Sequence, residues 1–235
     1  MPITLPQDNF RAFDLVIFDC DGVLVDSEII GCSVVAELLS QHGVPTQLEY
    51  ALRNFLGRPA SAVTDDFVQR SNLALPHDFM TGWRKHLFER FEEELIAIEG
   101  IRDLIESLHL KHCVASSSDE ERLAISLRKA DLAGFFEGNI FSTTMVKHGK
   151  PAPDLFLFAA EKMGVTSSRC IVIEDSPSGI KAAKAAGMMA VGFTAGRHYA
   201  VLDNTAALRQ SGADHIVTSA AELSSLLKVI SSNGR

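Results

Sequence analysis

The chain has 235 residues, 46% of them hydrophobic and 22% charged, which is an ordinary composition for a soluble globular protein of one large domain or two smaller ones. Its net charge of −8 comes without any basic run and argues against a nucleic-acid partner. No apolar run approaches a membrane span, and residues 1–14 lack the apolar stretch of a signal peptide, so the sequence predicts a cytoplasmic protein with no membrane partner.

Short apolar segments typical of buried strands recur along the chain. They lie at 15–20, 113–116, 139–142, 170–173, 189–193 and 215–217. Helical patterns separate the later segments, and the sequence Ser118-Asp119-Glu120-Glu121 is typical of a capping box with Ser118 as the N-cap. Strands that alternate with helices predict an α/β fold with a Rossmann-like parallel sheet and helices on both faces.

The stretch after the first strand breaks this rhythm because it contains helical patterns only. These patterns cover residues 28–41, 60–70 and 78–95. The stretch is far longer than a single crossover helix. We therefore expect a separate helical unit at residues 26–98, inserted into a sheet domain that is formed by residues 1–25 and 99–235.

The four cysteines are scattered without the spacing of a zinc site or a CxxC motif. Three of them lie in or at the end of predicted strands, where a free thiol behaves as a small hydrophobic side chain. The sequence therefore predicts no disulfides and a reducing compartment.

Two carboxylates, Asp19 and Asp21, stand one residue apart where the first predicted strand ends. Residues i and i+2 of an extended chain face the same way, so both acids would enter one small volume. Such a pair requires a cation or a shared proton. Gly22 beside them lets the backbone turn and lets a ligand approach the main chain. Taken alone, this pattern is equally consistent with a strand end that carries two solvated acids.

Other polar residues follow later strands, at the edge of a parallel sheet where ligands bind. Ser116 and Ser117 precede a helix start, where free N–H groups favour an anion. Glu174 and Asp175 follow the fourth apolar segment, and Lys150 lies in a proline-rich loop. Each group has a plain structural alternative: helix capping for the serines, first-turn acids favoured by the helix dipole for Glu174 and Asp175, and a solvated surface charge for Lys150. Together, however, four acids predict a hard cation such as Mg²⁺, and the lysine and hydroxyls opposite predict a phosphate site.

The ordered set of motifs resembles the haloacid dehalogenase-like hydrolase superfamily, close to its β-phosphoglucomutase-like and sugar-phosphatase branch. The matching segments are Asp19-Cys20-Asp21-Gly22-Val23-Leu24-Val25-Asp26-Ser27-Glu28, Val114-Ala115-Ser116-Ser117, Lys150-Pro151-Ala152-Pro153-Asp154, and Ile173-Glu174-Asp175-Ser176 with Gly179-Ile180. The resemblance implies that residues 26–98 form the small α-helical cap of this family.

The resemblance also implies roles at the matching positions. Asp19 would be the nucleophile that forms an aspartyl-phosphate, and Asp21 the general acid and then the general base. Ser116 and Lys150 would hold the transferring phosphoryl group. Mg²⁺ would be bound by Asp19, Glu174, Asp175 and the backbone carbonyl of Asp21. The predicted substrate-binding residues are Gly22, Glu28, Arg58, Ser116, Ser117 and Lys150. The expected partner is a small-molecule phosphate ester, and the expected assembly is a monomer or weak dimer.

Departures from related families narrow the expected reaction. Asp21 favours phosphate chemistry over dehalogenation, and the absence of lysine from residues 26–40 weighs against a phosphonoacetaldehyde hydrolase. Gly31 and Ala60 stand where the mutases have a histidine and an arginine, so we expect a Mg²⁺-dependent phosphatase of a sugar, sugar-alcohol or sugar-acid phosphate. A β-phosphoglucomutase-type mutase is the alternative. A regulator without catalytic activity is a remote one, because the nucleophile, acid and lysine are all retained.

Overall fold

The structure, a computed structural model, describes residues 13–58 and 61–232. Within these residues, six strands form one sheet in which all neighbouring strands are parallel. The strands are β1 (Leu15–Phe18), β2 (Lys111–Ser116), β3 (Ile140–Ser142), β4 (Cys170–Glu174), β5 (Met189–Phe193) and β6 (His215–Val217). All six coincide with apolar segments that the sequence analysis assigned to strands, so the predicted sheet is confirmed.

The sheet order is β3-β2-β1-β4-β5-β6, which puts β1 in the interior between β2 and β4. Side chains of β1 alternate between the two faces: Val16 and Phe18 join one hydrophobic core, while Leu15 and Ile17 join the other. Every residue of β1 is buried. The carboxyl ends of β1, β2 and β4 therefore meet at one edge of the sheet.

The described helices cover both faces of the sheet and the stretch between β1 and β2. They are α1 (Glu28–Gln41), α2 (Leu48–Phe55), α3 (Ser61–Ser71), α4 (Phe79–Glu94), α5 (Ile101–Glu106), α6 (Glu120–Lys129), α7 (Asp154–Lys162), α8 (Pro177–Ala185), α9 (His198–Val201), α10 (Thr205–Gln210) and α11 (Ala220–Ser232). The predicted bounds of α1 are reproduced, whereas α2 was not predicted. Its buried residues Ala51, Leu52 and Phe55 follow a helical spacing in the sequence.

Helices α1 to α4 share a hydrophobic core that includes Leu39, Leu52 and Phe67. The chain enters and leaves this helical unit through two segments that lie side by side. The amide of Asp26 donates to the carbonyl of Ile96 (3.0 Å), and the amide of Ile98 donates to the carbonyl of Leu24 (3.0 Å). These contacts are consistent with an inserted unit, and the division at residues 26 and 98 stays a prediction.

Two local predictions have different outcomes. Helix α8 begins as expected, because Ser176 accepts a hydrogen bond from the amide of Gly179 and Pro177 occupies the first helical position. Helix α6 begins one residue later than expected. Its N-cap is Asp119, whose carboxylate accepts from the amide of Arg122 at 3.0 Å, so the assignment of Ser118 as the cap is wrong.

All four cysteines are buried free thiols, as predicted. Among residues 13–58 and 61–232, no helix combines the length and apolar character that crossing a bilayer demands.

Candidate active site

A cavity of about 690 Å³ opens at the carboxyl edge of the sheet, beneath helices α1 to α4. It brings together most of the residues that the sequence analysis selected. Those that line it are Asp19, Asp21, Glu28, Arg58, Ser116, Ser117, Lys150, Glu174 and Asp175. Gly22 is not part of the wall, and its amide donates to the carbonyl of Val25 at 2.8 Å.

Lys150 is the charged centre of the cavity floor. Its side chain is 2% exposed, and Nζ donates to Oδ1 of Asp19 at 2.7 Å and to Oε1 of Glu174 at 2.8 Å. A third bond at 3.0 Å reaches the carbonyl of Ala115, at the end of β2. Burial lowers the pKa of Lys150, but the two carboxylates outweigh it and raise the pKa above its usual range. The ammonium is therefore charged and fixed in place.

Asp19, Glu174 and Asp175 form a compact group of buried carboxylates. One oxygen of each lies within 4.8 Å of the others. Burial raises the pKa of Asp19 to about 7, with a further contribution from the charge of Glu174, and burial raises the pKa of Asp175 well above its usual range. Three carboxylates against one ammonium leave two negative charges when all are ionised. A divalent cation bound by oxygen ligands would balance them, so this donor set fits such an ion.

Two glycines make room for the carboxylates. A Cβ at Gly179 would lie 1.7 Å from Oε1 of Glu174, and a Cβ at Gly22 would lie 1.8 Å from Oδ2 of Asp175. Gly22 also has a φ of +75°, which favours glycine. The close approach that the sequence suggested at Gly22 is therefore made by the side chain of Asp175.

Helix α9, which follows β5, supports Asp175. Tyr199 donates its hydroxyl to the backbone carbonyl of Asp175, and Nε2 of His198 lies 3.4 Å from its Oδ2. Burial lowers the pKa of His198 to about 4, so the ring is neutral near pH 7. These two residues lie more than twenty positions after Asp175, and nothing in the sequence pattern linked them to it.

Asp21 is held by three side chains. Its Oδ1 accepts from Ser27 (2.5 Å) and Arg122 (2.7 Å), and its Oδ2 accepts from Ser118 (2.6 Å). Burial alone would raise the pKa of Asp21, but Arg122 and the two hydroxyls outweigh it and hold the pKa below its usual range. Ser118, expected only to cap a helix, instead orients this acid.

Sequence reasoning missed Arg122, although one signal was available. Arg122 lies in the first turn of α6, where the helix dipole disfavours a cation. A cation at such a position requires a nearby anion, and Asp21 supplies it.

The helical side of the cavity is mainly apolar, with Leu56, Met80 and Trp83 among the residues that line it. Glu28 lies near Asp21, and burial raises its pKa to about 8 with a contribution from the charge of Asp21. Arg58 is exposed at the wall.

Two other positions named in the sequence analysis lie on this side of the molecule. Gly31 lines the cavity, and a Cβ there would meet nothing within 4 Å. Ala60 lies outside the described residues.

Comparison with known proteins places these features in a family. The family model described as haloacid dehalogenase-like hydrolase matches residues 16–193, which is well over half of the chain. The 6-phosphogluconate phosphatase of Escherichia coli K12 is 29% identical over 186 residues, covering 79% of this chain and 84% of that protein. The phosphorylated carbohydrates phosphatase of Thermotoga maritima is 30% identical over 182 residues, covering 74% of this chain and 82% of that protein.

Solved structures agree with this comparison. A conserved haloacid dehalogenase-like protein of unknown function from Agrobacterium tumefaciens superposes with a TM-score of 0.83 at 32% identity. The match covers 93% of this chain and 99% of that one. The similarity therefore includes both the sheet and the helical unit between β1 and β2.

Proposed function

The chain belongs to the haloacid dehalogenase-like hydrolase family and is a phosphoric monoester hydrolase, and from this premise we propose that it hydrolyses a small phosphorylated metabolite through an aspartyl-phosphate on Asp19. The observation that carries the proposal is the buried group around Lys150, in which one ammonium joins Asp19 to Glu174 beside Asp175. This arrangement supports nucleophilic attack on a phosphoryl group whose charge is neutralised at the same place.

In the first half of the reaction, a carboxylate oxygen of Asp19 attacks phosphorus and the bond from phosphorus to the alcohol oxygen breaks. Lys150 and the hydroxyl of Ser116 hold the phosphoryl oxygens during the transfer. The negative charge of the bound phosphate favours the protonated form of Asp21, which the free site disfavours. This carboxyl gives its proton to the departing alcohol oxygen, so that a neutral alcohol leaves.

In the second half, water attacks the phosphorus of the aspartyl-phosphate. Asp21, now ionised, accepts the water proton, and the bond from phosphorus to the Asp19 oxygen breaks. Inorganic phosphate and the free Asp19 carboxylate result. Both charge states of Asp21 are used once in each cycle.

We assign Asp19, Glu174, Asp175 and the backbone carbonyl of Asp21 as the groups that would hold Mg²⁺. The all-oxygen donor set and its charge favour a hard divalent ion. Bound Mg²⁺ would neutralise charge that develops on the phosphoryl oxygens.

The substrate proposed is a sugar, sugar-alcohol or sugar-acid phosphate. Relatives named for phosphorylated carbohydrates support this class. Residues 26–98 would act as a cap that closes the cavity, with Glu28 and Arg58 available to substrate hydroxyl or carboxylate groups. Ser117 is exposed at the cavity wall and could contact the phosphate through its hydroxyl.

We expect turnover to require Mg²⁺, to continue more slowly with Mn²⁺, and to be inhibited by Ca²⁺. Ca²⁺ takes more ligands at longer distances than Mg²⁺ and would misalign the attack.

Mg²⁺ should also bind more weakly below pH 7, because Asp19, whose pKa is raised to about 7, then holds a proton that competes with the ion. The change should be at least about tenfold per pH unit, because Asp175, whose pKa is also raised, releases a proton as well when the ion binds. Trp83, the single tryptophan, lines the cavity and provides a fluorescence signal for the titration.

Asp175→Asn should raise the Mg²⁺ concentration needed for half-maximal activity, whereas Asp103→Asn, at an exposed position of α5, should not. Full activity in excess chelator would contradict the metal requirement. A Trp83 signal that stays constant on saturation with Mg²⁺ and beryllium fluoride would contradict a cap that encloses the site.

A panel of sugar, sugar-alcohol and sugar-acid phosphates tests the reaction itself. We expect at least one of them to release inorganic phosphate without a bisphosphate activator, because Gly31 leaves the cap without the histidine of the mutases. Phosphorus NMR of the reaction with a sugar 1-phosphate distinguishes the alternatives. Accumulation of the 6-phosphate isomer with little free phosphate would favour the mutase, and no turnover of any ester would favour the regulator.

A further inference from the structure

Arg122 connects the candidate acid–base residue to the helical unit. Its side chain is 18% exposed, and Nη2 donates to Oδ1 of Asp21 at 2.7 Å. The guanidinium lies over the ring of Phe91 on α4, 5.4 Å from its centroid, and Phe91 is completely buried. Arg122 is therefore enclosed between the site and the cap helix.

This position is unfavourable for a cation without a partner. Arg122 lies in the first turn of α6, where the helix dipole is repulsive, and burial removes most of its water. Its Nε has no hydrogen-bond partner among the described residues. Asp21 is the carboxylate that Arg122 contacts directly, so the position of the guanidinium and that of the Asp21 carboxylate depend on each other.

The hydrogen bonds of Asp21 are divided unequally between its oxygens. Oδ1 accepts two, from Ser27 and Arg122, while Oδ2 accepts one, from Ser118. A carboxylate has about four acceptor sites, two on each oxygen. Oδ1 is therefore saturated, and the remaining site is on Oδ2.

We propose that Arg122 is a positioning residue that fixes the Asp21 carboxylate so that Oδ2 is the oxygen that exchanges protons during hydrolysis. The inference rests on the proposed function. Oδ2–H gives its proton to the alcohol oxygen as the bond from phosphorus to that oxygen breaks. Oδ2 then receives the proton of the water that forms the new bond to phosphorus, so the proton returns to Asp21 and no other reactant is required.

The position of the Asp21 carboxylate should matter more to the second step than to the first when the leaving group is a stable anion. A stable anion leaves without a proton, whereas attack by water requires an Asp21 oxygen that is held where it can accept the water proton, and the bond from Arg122 holds it there. Hydrolysis of the aspartyl-phosphate should therefore be the step that suffers most when Arg122 is removed.

Arg122→Met tests this with p-nitrophenyl phosphate, whose phenolate leaves without needing a proton. The value of kcat/KM reports steps up to the aspartyl-phosphate, and kcat includes its hydrolysis. We expect kcat/KM to stay within about fivefold of wild type and kcat to fall roughly 10²-fold, the lower end of a general-base contribution. A burst of about one p-nitrophenolate per enzyme and a phosphorylated Asp19 in the mass spectrum should accompany the change.

Arg128→Met is the matched control. Arg128 lies on the same helix, is exposed, and pairs with Glu92 of α4, so its loss removes a contact between α4 and α6 without touching Asp21. Both kinetic constants of this variant should remain near wild type. A fall in Arg122→Met that affects kcat and kcat/KM equally and shows no burst would overturn the inference, as would an unchanged kcat.

Arg122→Lys gives a second measurement should the methionine variant fail to fold. Lysine keeps the positive charge of Arg122 but lacks the planar set of donors of a guanidinium. We therefore expect the kcat of Arg122→Lys to be lower than that of wild type, by less than the roughly 10²-fold fall expected for Arg122→Met. A lysine variant with wild-type kcat would overturn the proposal. Failure of wild-type protein to form a beryllium fluoride adduct on Asp19 would instead count against the proposed function, which keeps the two failures distinct.

Discussion

Replacing Asp19 by asparagine should lower turnover by roughly 10³-fold or more, which corresponds to at least about 4 kcal/mol of lost transition-state stabilisation. The amide has nearly the same shape and can still accept the hydrogen bond that Lys150 donates to Oδ1. It lacks the charge and the nucleophilic oxygen that attack phosphorus requires. Steady-state phosphate release measures the loss.

The same substitution should not weaken the metal-free fold. The pKa of Asp19 is raised from 3.8 to about 7 in the folded protein. A raised carboxyl pKa means that ionisation of Asp19 destabilises the folded state. The free energy of unfolding should therefore fall as pH rises from about 4 to 7 and should be lowered by the full amount above pH 7. Asparagine does not ionise and so avoids this destabilisation. The melting temperature of metal-free Asp19→Asn at pH 8 should therefore equal or exceed that of wild type.

Asp14→Asn is the matched control for Asp19→Asn. Asp14 immediately precedes β1, at the end opposite Asp19, and pairs with Arg169. Its loss should leave turnover near wild type. Beryllium fluoride should form an adduct on Asp19 in wild type and in Asp14→Asn. Substantial turnover by Asp19→Asn, with deamidation excluded by mass spectrometry, would disprove the covalent mechanism.

Lys150→Met should reduce both activity and stability. The substitution leaves Asp19 and Glu174 without their shared cation and the carbonyl of Ala115 without its donor. Breaking a buried ion pair from one side costs about 3–5 kcal/mol. Loss of the donor to the transferring phosphoryl group should lower turnover by about 10³-fold.

The stability difference between Lys150→Met and wild type should narrow as pH falls from 8 to 5.5. Without the ammonium, the pKa of Asp19 rises further, because the interaction with Lys150 is what lowers it. Protonation at lower pH then removes the uncompensated charge. Urea unfolding of the metal-free proteins at several pH values measures the difference.

Lys162→Met is the control for Lys150→Met. Each lysine lies over a phenylalanine ring of α7: Lys150 at 4.8 Å from the centroid of Phe156, and Lys162 at 5.2 Å from that of Phe158. Lys162 is exposed, so its loss should change the free energy of unfolding by less than about 0.5 kcal/mol. Equal effects of the two substitutions would contradict the role of the buried ammonium.

The sheet could be predicted from the sequence because its strands are short apolar runs, each of which ends at a polar residue or a turn. β1 and β4 are buried on both faces and contain continuous apolar sequence before Asp19 and Glu174. The convergence of those acids with Lys150 followed from the parallel arrangement. Local pattern and sheet geometry were sufficient for this part of the site.

The partners of Asp21 could not be predicted in the same way. Ser118 and Arg122 lie about a hundred positions later in the chain, and their contacts depend on how α6 is packed against the sheet and α4. The sequence analysis gave Asp21 a role as acid and base but no hydrogen-bond partner. The structure instead has both carboxylate oxygens hydrogen-bonded, because buried acids require donors and tertiary packing supplies them.

Helix α2 was missed for a different reason. Its eight residues carry the apolar spacing of an amphipathic helix, but the segment is short and stands between turn residues. Such a helix is marginal alone and is stabilised by packing on α1. The signal was present in the sequence and was weak.

The paired segments between the sheet and the helical unit bring the two ends of that unit together. Val25 and Ala97 form an antiparallel bridge, so the two ends of the insertion meet at the spacing of neighbouring strands. The whole insertion is therefore connected to the sheet domain in the way that a single hairpin loop would be. The backbone turn that carries Asp21 is closed by its own bond between Gly22 and Val25, whereas the Asp21 carboxylate also accepts a hydrogen bond from Ser27 of the insertion. Another helical unit grafted at this bridge would bring a new substrate pocket to the same phosphoryl-transfer centre, provided that it kept Ser27 and an aromatic ring in the place of Phe91 against Arg122.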